Sequence, residues 1–522
     1  MSFTTLGFVA FFATVFFCYY IVPKKWQMPL LLVASVAFYA SASCMFLLYL
    51  LITTLATYLG ARIIDANLAR QKVWIKEKGR IVSREEKSNY KAKEAAKRRG
   101  VLIGVMAVVL GLLGVFKYAD FFLSNARWLL GVFGCGTAAS GLTALNLILP
   151  IGLSFYVFQS LGYCIDVYRE EIPAERNFLK YALFTSFFPQ VLQGPIGNYE
   201  RLSGQLSAVH EFNSVSVVAG LQRVVWGFGK KLIIANRIAA CIDPVWSDVA
   251  SHAGACLWLL VAVMYAFQLY ADFSGYMDIA CGCSEMLGIK LDENFECPYL
   301  TKSISEFWRK WHITLGVWFK NYLFYPLLRS QWNTKLRKIS APVATVMALV
   351  IVWALIGLWH GADWSYVAYG LYHGFFVILA AVLGAFYEKL HASVPRFFQS
   401  RSYALFQVVR TFLIVSVGYL IFKPANLAKT AAILSSSVTF GFNQAVALVQ
   451  KDARSWWICT VWILLLALVD LIHFRFGHGA IRGFVSRCPR TIRLLIYLTS
   501  VEMILSFGLL ETKFQVFEYF KF

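Results

Sequence analysis

Two histidines stand in short, tryptophan-rich breaks of an otherwise apolar chain. Ser305-Glu306-Phe307-Trp308-Arg309-Lys310-Trp311-His312-Ile313-Thr314-Leu315 is basic and aromatic, and Ile356-Gly357-Leu358-Trp359-His360-Gly361-Ala362-Asp363-Trp364 closes a long apolar run. Imidazole is the side chain best able to move a proton near neutral pH. Apolar burial lowers its pKa and keeps the neutral, basic form available. The pattern points to general acid–base chemistry on a bound substrate, and the glycines beside His360 would let one approach. Asp363 would orient the ring only if the helix ran on past Gly361. The competing reading of each histidine is a structural one at a helix end.

Two further segments put polar groups, glycine or proline where a plain apolar helix would not. Gln268-Leu269-Tyr270-Ala271-Asp272-Phe273-Ser274-Gly275-Tyr276-Met277-Asp278 sets two carboxylates, a serine and two tyrosines inside an apolar run. Carboxylates at membrane depth need partners, and tyrosine hydroxyls or cytoplasmic-side Arg and Lys could serve. Asp272 reads first as part of a polar network tying helices together, and second as a proton carrier. Phe187-Phe188-Pro189-Gln190-Val191-Leu192-Gln193-Gly194-Pro195-Ile196 holds two prolines and a glycine, which stop a regular helix. It is either a kink between spans or a re-entrant segment lining a site, since irregular backbone at that depth must lie inside protein or face a cavity. The candidate substrate-binding residues are Gln190, Asp272, Ser274, Tyr276, Trp308, Arg309, Lys310, Trp311 and Trp359.

The remaining histidines carry weaker signals. His373 falls on the face of an apolar run, a turn or more from the site, and His210, His252, His391, His473 and His478 lie in or beside loops. The eleven cysteines include no CxxC pair. Cys281 and Cys283, two apart in a helical run, point to different faces. No metal site is expected.

The elements that position these groups belong in a bilayer. Hydrophobic residues make up 59% of the 522, and charged residues only 15%, against roughly 25% in an ordinary soluble protein. A soluble chain cannot cover so much apolar surface, so disorder, a disulfide miniprotein and an ordinary soluble enzyme are excluded. Apolar runs lie at 5–22, 28–43, 44–61, 101–118, 147–167, 255–287, 342–360, 364–386, 402–422, 455–473 and 491–511. They do not alternate in polarity as barrel strands would. The segment 217–242 is apolar but carries Arg223, Lys230, Lys231 and Arg237, so it either spans or lies along the interface. The expectation is an all-α polytopic membrane protein, one membrane domain over 1–522, with about eleven or twelve spans of roughly 20 residues each.

Charge sets the orientation. The net charge is +21, and residues 62–99 alone hold thirteen Lys/Arg against five Asp/Glu. Basic segments beside spans mark the cytoplasmic side and touch anionic lipid, so 62–100 reads as a cytoplasmic loop rather than a nucleic-acid site. Two later basic clusters, Arg329 to Lys338 and Arg475 to Arg493, then also fall inside. On that count 423–454 is extracytoplasmic and both termini lie outside. The first apolar run reads as a retained span, because no small-residue cleavage site follows it.

Four stretches together resemble the membrane-bound O-acyltransferase (MBOAT) family. They are FFPQVLQGPIGNYERL at 187–202, QLYADFSGYMDIA at 268–280, SEFWRKWHITLGVWFKNYLFYPL at 305–327 and GLWHGADWSYVAYGLYHG at 357–374. The similarity is closest to the bacterial branch that includes the alginate O-acetylation membrane protein, whose aromatic C-terminus the ending Phe517-Glu518-Tyr519-Phe520-Lys521-Phe522 also resembles. The resemblance implies a ring of helices around a central funnel in a bacterial cell membrane, with 187–202 and 305–327 as re-entrant, site-lining segments. It implies His360 as the catalytic histidine and His312 as the second active-site position. The donor would be a cytoplasmic acyl thioester, acyl-CoA or an acyl carrier, with no cofactor. The acceptor hydroxyl would come from the other side, through an extracytoplasmic acyltransferase, an acceptor protein or a polysaccharide. Gln193 replaces a small residue found in many relatives, and the basic insertion at 62–99 is long; these departures bear on donor choice and partner docking.

On this reading His360 takes the proton of the acceptor hydroxyl as it attacks the thioester carbonyl. His312 positions the donor or hydrogen-bonds the developing oxyanion. Arg309, Lys310 and Lys320 either attract the donor's phosphates or anchor the segment at the interface with Trp308 and Trp311. The expected activity is transfer of an acyl group, acetyl first, to hydroxyls of a cell-envelope or exported polysaccharide. D-alanyl transfer to teichoic acid is the alternative within the enzyme class. A transporter or channel would explain the spans and carboxylates but not the paired His/Trp breaks, and an export scaffold would leave both histidines dispensable.

Overall fold

The computed structural model describes residues 2–79, 81–134, 140–477 and 479–508; the aromatic ending at 517–522 and His478 lie outside the described residues. Among those residues the chain is helical, and its one β feature is an isolated antiparallel bridge between Phe295 and Trp311. Among the described residues eight helices are long and apolar enough to cross a bilayer: Cys44–Lys78, Arg84–Val132, Ala255–Met286, Ala341–His360, Trp364–Val382, Arg401–Phe422, Ala453–Phe476 and Arg490–Gly508. The protein is an all-α, multi-pass membrane protein.

Three runs expected to span make shorter helices. Leu6–Ile21 and Leu153–Tyr168 have 16 residues each and Gln27–Ala40 has 14, below the roughly 20 that a straight crossing takes. Pro23 stops the first of them, because Val22 before it is held extended.

The basic segment 62–100 is helical over 62–78 and again over 84–100. The apolar half of Cys44–Lys78 runs directly into its basic half, and a second helix starts at Arg84. Ser83 and Glu86 close a capping box there, with the Ser83 hydroxyl accepting from Glu86 N and the Glu86 carboxylate from Ser83 N. Lys, Glu and Ala are good helix formers, and helix that is already nucleated by the apolar turns extends at little cost. Residues 423–454 likewise contain the helices Leu427–Ser436 and Phe442–Lys451.

The chain forms two compact units, residues 1–218 with 283–292, and 219–282 with 293 onward. In the first, Leu153–Tyr168 is buried along nearly its whole length and packs against Cys44–Lys78 and Arg84–Leu113. Beyond Phe178–Ser186 the backbone leaves helical form from 187 to 198, yet stays almost wholly buried. Its amides are satisfied locally, Val191 N on Phe187 O and Gly194 N on Gln190 O, and Phe188 N donates to Ser35 Oγ.

In the second unit the long helix Ala255–Met286 packs against the 217–242 region, which is two helices, Ser214–Phe228 and Asn236–Ser247, joined by a wide π-type turn at Gly229–Ala235. Glycines let these backbones meet: a Cβ on Gly227 would lie 2.7 Å from Gly275 O, and one on Gly282 2.6 Å from Gly220 O. Ala341–His360 and Trp364–Val382 form a hairpin packed on Arg401–Phe422.

Candidate active site

His360 is the last residue of Ala341–His360 and is 4% exposed. The helix ends there because Gly361 is extended and Asp363 caps the next helix, accepting from Ser365 N at 2.8 Å. Asp363 is therefore a cap and not the orienting partner of the imidazole. The flanking glycines serve the hairpin. A Cβ on Gly361 would lie 2.1 Å from the Tyr366 ring, one on Gly357 2.3 Å from Tyr366 O, and one on Gly370 2.2 Å from Trp353 O. The His360 ring meets Trp359, Tyr369 and Phe422 edge to face at 5.0, 6.0 and 5.4 Å.

His312 caps the short helix Ile313–Phe319 from a left-handed backbone conformation, φ +48°. Residues 305–327 form three helical pieces, Ile304–Lys310, Ile313–Phe319 and Tyr325–Arg329, with a π-type turn before the last. The break at His312 is held from outside. Glu296 N donates to Lys310 O, Ile313 N to Asn294 O, and both the N–H and the hydroxyl of Thr314 to Asn294 Oδ1. The His312 ring is 1% exposed and lies edge-to-face against Phe273 at 4.9 Å and Trp359 at 5.7 Å. One indole, Trp359, thus touches both histidines.

The carboxylate stretch lies on Ala255–Met286, where Phe273 reaches His312. Its charges are matched by the 217–242 region. Lys231 pairs with Asp272 at 2.5 Å, Lys230 with Asp278 at 2.6 Å, and Arg223 with Asp278 at 2.9 Å and with Glu293 at 2.5 Å. Lys230 also donates to Ser274 Oγ, whose hydroxyl donates on to Tyr270 O. Neighbouring residues in an α-helix point about 100° apart; the wider turn at 229–235 brings both Lys230 and Lys231 onto the carboxylates. Tyr276 is fully buried on the same helix.

The other candidates divide. Trp311 packs in an aromatic core with Phe295, Phe307 and Tyr299. Arg309 is exposed, and Lys310 lies 4.0 Å from Glu296 and 3.9 Å from Glu306. Trp308 meets Trp353 and His373 at 5.1 Å each. Gln190 lies in the first unit, hydrogen-bonded to Gln159 and Pro195. Among the described residues no group of three or more His, Cys, Asp or Glu is placed to hold a metal ion.

Sequence reasoning set His373 aside, yet it is fully buried, its ring lies 4.7 Å from Tyr369, and neither ring nitrogen has a hydrogen-bond partner among the described residues. Tyr369 in turn touches His360. The available signal was the setting Tyr369-Gly370-Leu371-Tyr372-His373-Gly374, the same mix of aromatics and glycine that surrounds His360.

Residues 167–422 match the membrane-bound O-acyltransferase family, MBOAT. The chain is 33% identical over 444 residues to the probable alginate O-acetylase AlgI of Pseudomonas aeruginosa, covering 84% of this chain and 75% of that one. It is 31% identical over 370 residues to a peptidoglycan O-acetyltransferase of Helicobacter pylori, covering 66% and 65%, and 30% identical over 285 residues to a teichoic acid D-alanyltransferase of Bacillus subtilis, covering 53% and 69%. The histidine segments, the carboxylate stretch and the buried turn at 187–198 all fall inside the family match. The chain belongs to the membrane-bound O-acyltransferase family and is an O-acyltransferase.

Proposed function

We propose that the protein moves an acetyl group from a cytoplasmic thioester across the cell membrane to hydroxyls of a cell-envelope or exported polysaccharide, with His360 as general base. The observation that carries this is the buried His360, one indole away from His312 at the end of a glycine-packed hairpin. The names of the relatives in Pseudomonas and Helicobacter support an acetyl group and a polymeric acceptor.

His360 takes the hydroxyl proton as the oxygen attacks the thioester carbonyl carbon. A C–O bond forms and the carbonyl becomes an oxyanion, which His312 stabilises. The C–S bond then breaks, the sulfur leaves with the proton from His360, and the products are an ester and a free thiol. This chain's residues need no further cofactor for that sequence. An extracytoplasmic acyltransferase or acceptor protein would receive the acyl group where the polysaccharide does not reach the site itself. The basic helical segment at 62–99 faces the cytoplasm and both termini lie outside.

The relative from Bacillus supports a second reading, D-alanyl transfer from a carrier-protein thioester. Purified protein in nanodiscs, incubated with radiolabelled acetyl-CoA or D-alanyl carrier protein, separates the two. The proposal expects thiol release from acetyl-CoA by wild type and its loss in His360→Ala with the fold intact. Undiminished turnover in that variant would sink the assignment of the base.

A further inference from the structure

Two thiols from distant parts of the second unit meet away from the histidines. Cys241 lies on Asn236–Ser247 and Cys459 on Ala453–Phe476, 218 residues apart in sequence, and their sulfurs are 3.4 Å from each other. Cys459 is 1% exposed and Cys241 is half-buried, so an incoming reagent meets Cys241 first. The proposed acyl transfer uses neither. Sulfurs already in contact need only a small further approach, to about 2.05 Å, to form a bond.

Three contacts set the pair toward the end of the unit that the charge pattern assigns to the outside. Ala453–Phe476 follows directly on the stretch 423–454, and Cys459 lies about 9 Å along the axis from its first residue. Asp243, on the helix of Cys241, pairs with Lys423 at 3.4 Å. The start of Ala255–Met286 is joined to the same stretch, Ala255 N donating to Thr439 O at 2.7 Å and Cys256 N to Phe440 O at 2.9 Å. The outer side of a cell membrane is where disulfides form and persist.

A bond here would tie together two helices that already grip a third. Asn236–Ser247 continues from the wide turn that sets Lys230 and Lys231 on Asp278 and Asp272. Ala453–Phe476 carries Asp470, whose carboxylate accepts from the Tyr270 hydroxyl at 3.0 Å. Tyr270, Asp272 and Asp278 all lie on Ala255–Met286, whose Phe273 touches His312. Closing so long a stretch of chain also removes conformational freedom from the unfolded state.

We propose that Cys241 and Cys459 form a redox modification site, oxidised to an intramolecular disulfide by exchange with a disulfide compound on the extracytoplasmic side. The Cys241 thiolate attacks one sulfur of the incoming disulfide, whose S–S bond breaks and releases one thiol. The Cys459 thiolate then attacks Cys241 Sγ and displaces the second thiol. The two cysteines lose two electrons and two protons, and the incoming disulfide takes them up as two thiols. The inference goes beyond acyl transfer and rests on the orientation proposed above, with 423–454 outside.

The test uses the full chain, first reduced, in sealed membrane vesicles of each orientation. Oxidised glutathione, which is charged and stays on the side where it is added, is the probe. The protein is then alkylated in denaturant, digested and mapped by mass spectrometry. Oxidant at the extracytoplasmic face should join the peptides of Cys241 and Cys459 with the loss of two hydrogens, and the joined peptides should separate on reduction. The oxidised wild type should also unfold at a higher temperature than the reduced protein, a shift that Cys241→Ala and Cys459→Ala should both lack. Full alkylation of the two cysteines after oxidation from either face would overturn the proposal, as would a lasting glutathione adduct on Cys241 in place of the cross-link. Joining from the cytoplasmic face alone would overturn it together with the orientation it rests on. The wild-type map decides whether the bond forms, so the outcome does not depend on how the variants fold.

Discussion

The Lys231 ammonium lies 2.5 Å from the Asp272 carboxylate, and both side chains are 2% exposed. Two charges taken this far from water hold each other, and each becomes a liability if the other is removed. Lys231→Met should destabilise the fold by about 3–5 kcal/mol, and Lys231→Met with Asp272→Asn should recover most of that. Thermal unfolding in detergent reads the difference; equal losses in the single and double variants would show that the pair does not carry the effect.

His312 sits at φ +48°, a backbone region that asparagine tolerates and β-branched residues resist. His312→Asn should fold like wild type while acyl transfer falls by about 10²–10³-fold, the usual loss of an oxyanion donor. His312→Val should lose stability as well. Measuring turnover and melting temperature together on both variants separates the ring's chemistry from the backbone's strain.

A Cβ on Gly370 would lie 2.2 Å from Trp353 O, whereas one on Gly104 meets nothing within 4 Å. Gly370→Ala should part the hairpin that ends at His360, costing about 1–3 kcal/mol or more, and reduce turnover. Gly104→Ala should be neutral or slightly stabilising, as expected at an open helix position. Similar melting temperatures for the two variants would contradict the close packing.

A Cβ on Gly418 would lie 2.8 Å from His373 Nε2. Because His373 packs on Tyr369 and Tyr369 on His360, Gly418→Ala should lower the rate of transfer with modest loss of stability. Full activity in Gly418→Ala would place His373 outside the working part of the site.

Glu175 is partly buried, which alone would raise its pKa. The Tyr199 hydroxyl, the amides of Asn177 and Arg176 and the charge of Lys180 outweigh that and hold the carboxyl below its ordinary value. A depressed carboxyl pKa contributes stability above the unfolded value and loses it as pH falls through the folded one. Tyr199→Phe should therefore lower the melting temperature near neutral pH, and the gap to wild type should narrow as the solution is acidified below the carboxylate range. A gap independent of pH would assign the effect to lost packing instead.

The class of the protein and the neighbourhood of its chemistry were legible because both are local. Composition and run length fix a multi-pass helical chain, since a bilayer demands long apolar helices whatever they pack against. His312 and His360 stood out because each interrupts an apolar run with polar and aromatic residues. Residues 62–100 read as a solvated cytoplasmic segment because charge reports solvent, and whether such a segment is helical is a separate matter that capping and helix-forming residues decide. Other features required the fold. Lys231 and Asp272 are 41 residues apart, and their pairing depends on a wide turn that shows no periodicity in sequence. Gly361 reads as an opening for substrate until Tyr366 is seen to fill it. His373 reads as one more residue on a span until Trp308 and Tyr369 are found around it. Patterns along the chain determined which segments are apolar, helical and chemically equipped; contacts between distant segments decided which charges are neutralised, which glycines are packed and which histidines share an indole, because those depend on geometry no local pattern encodes.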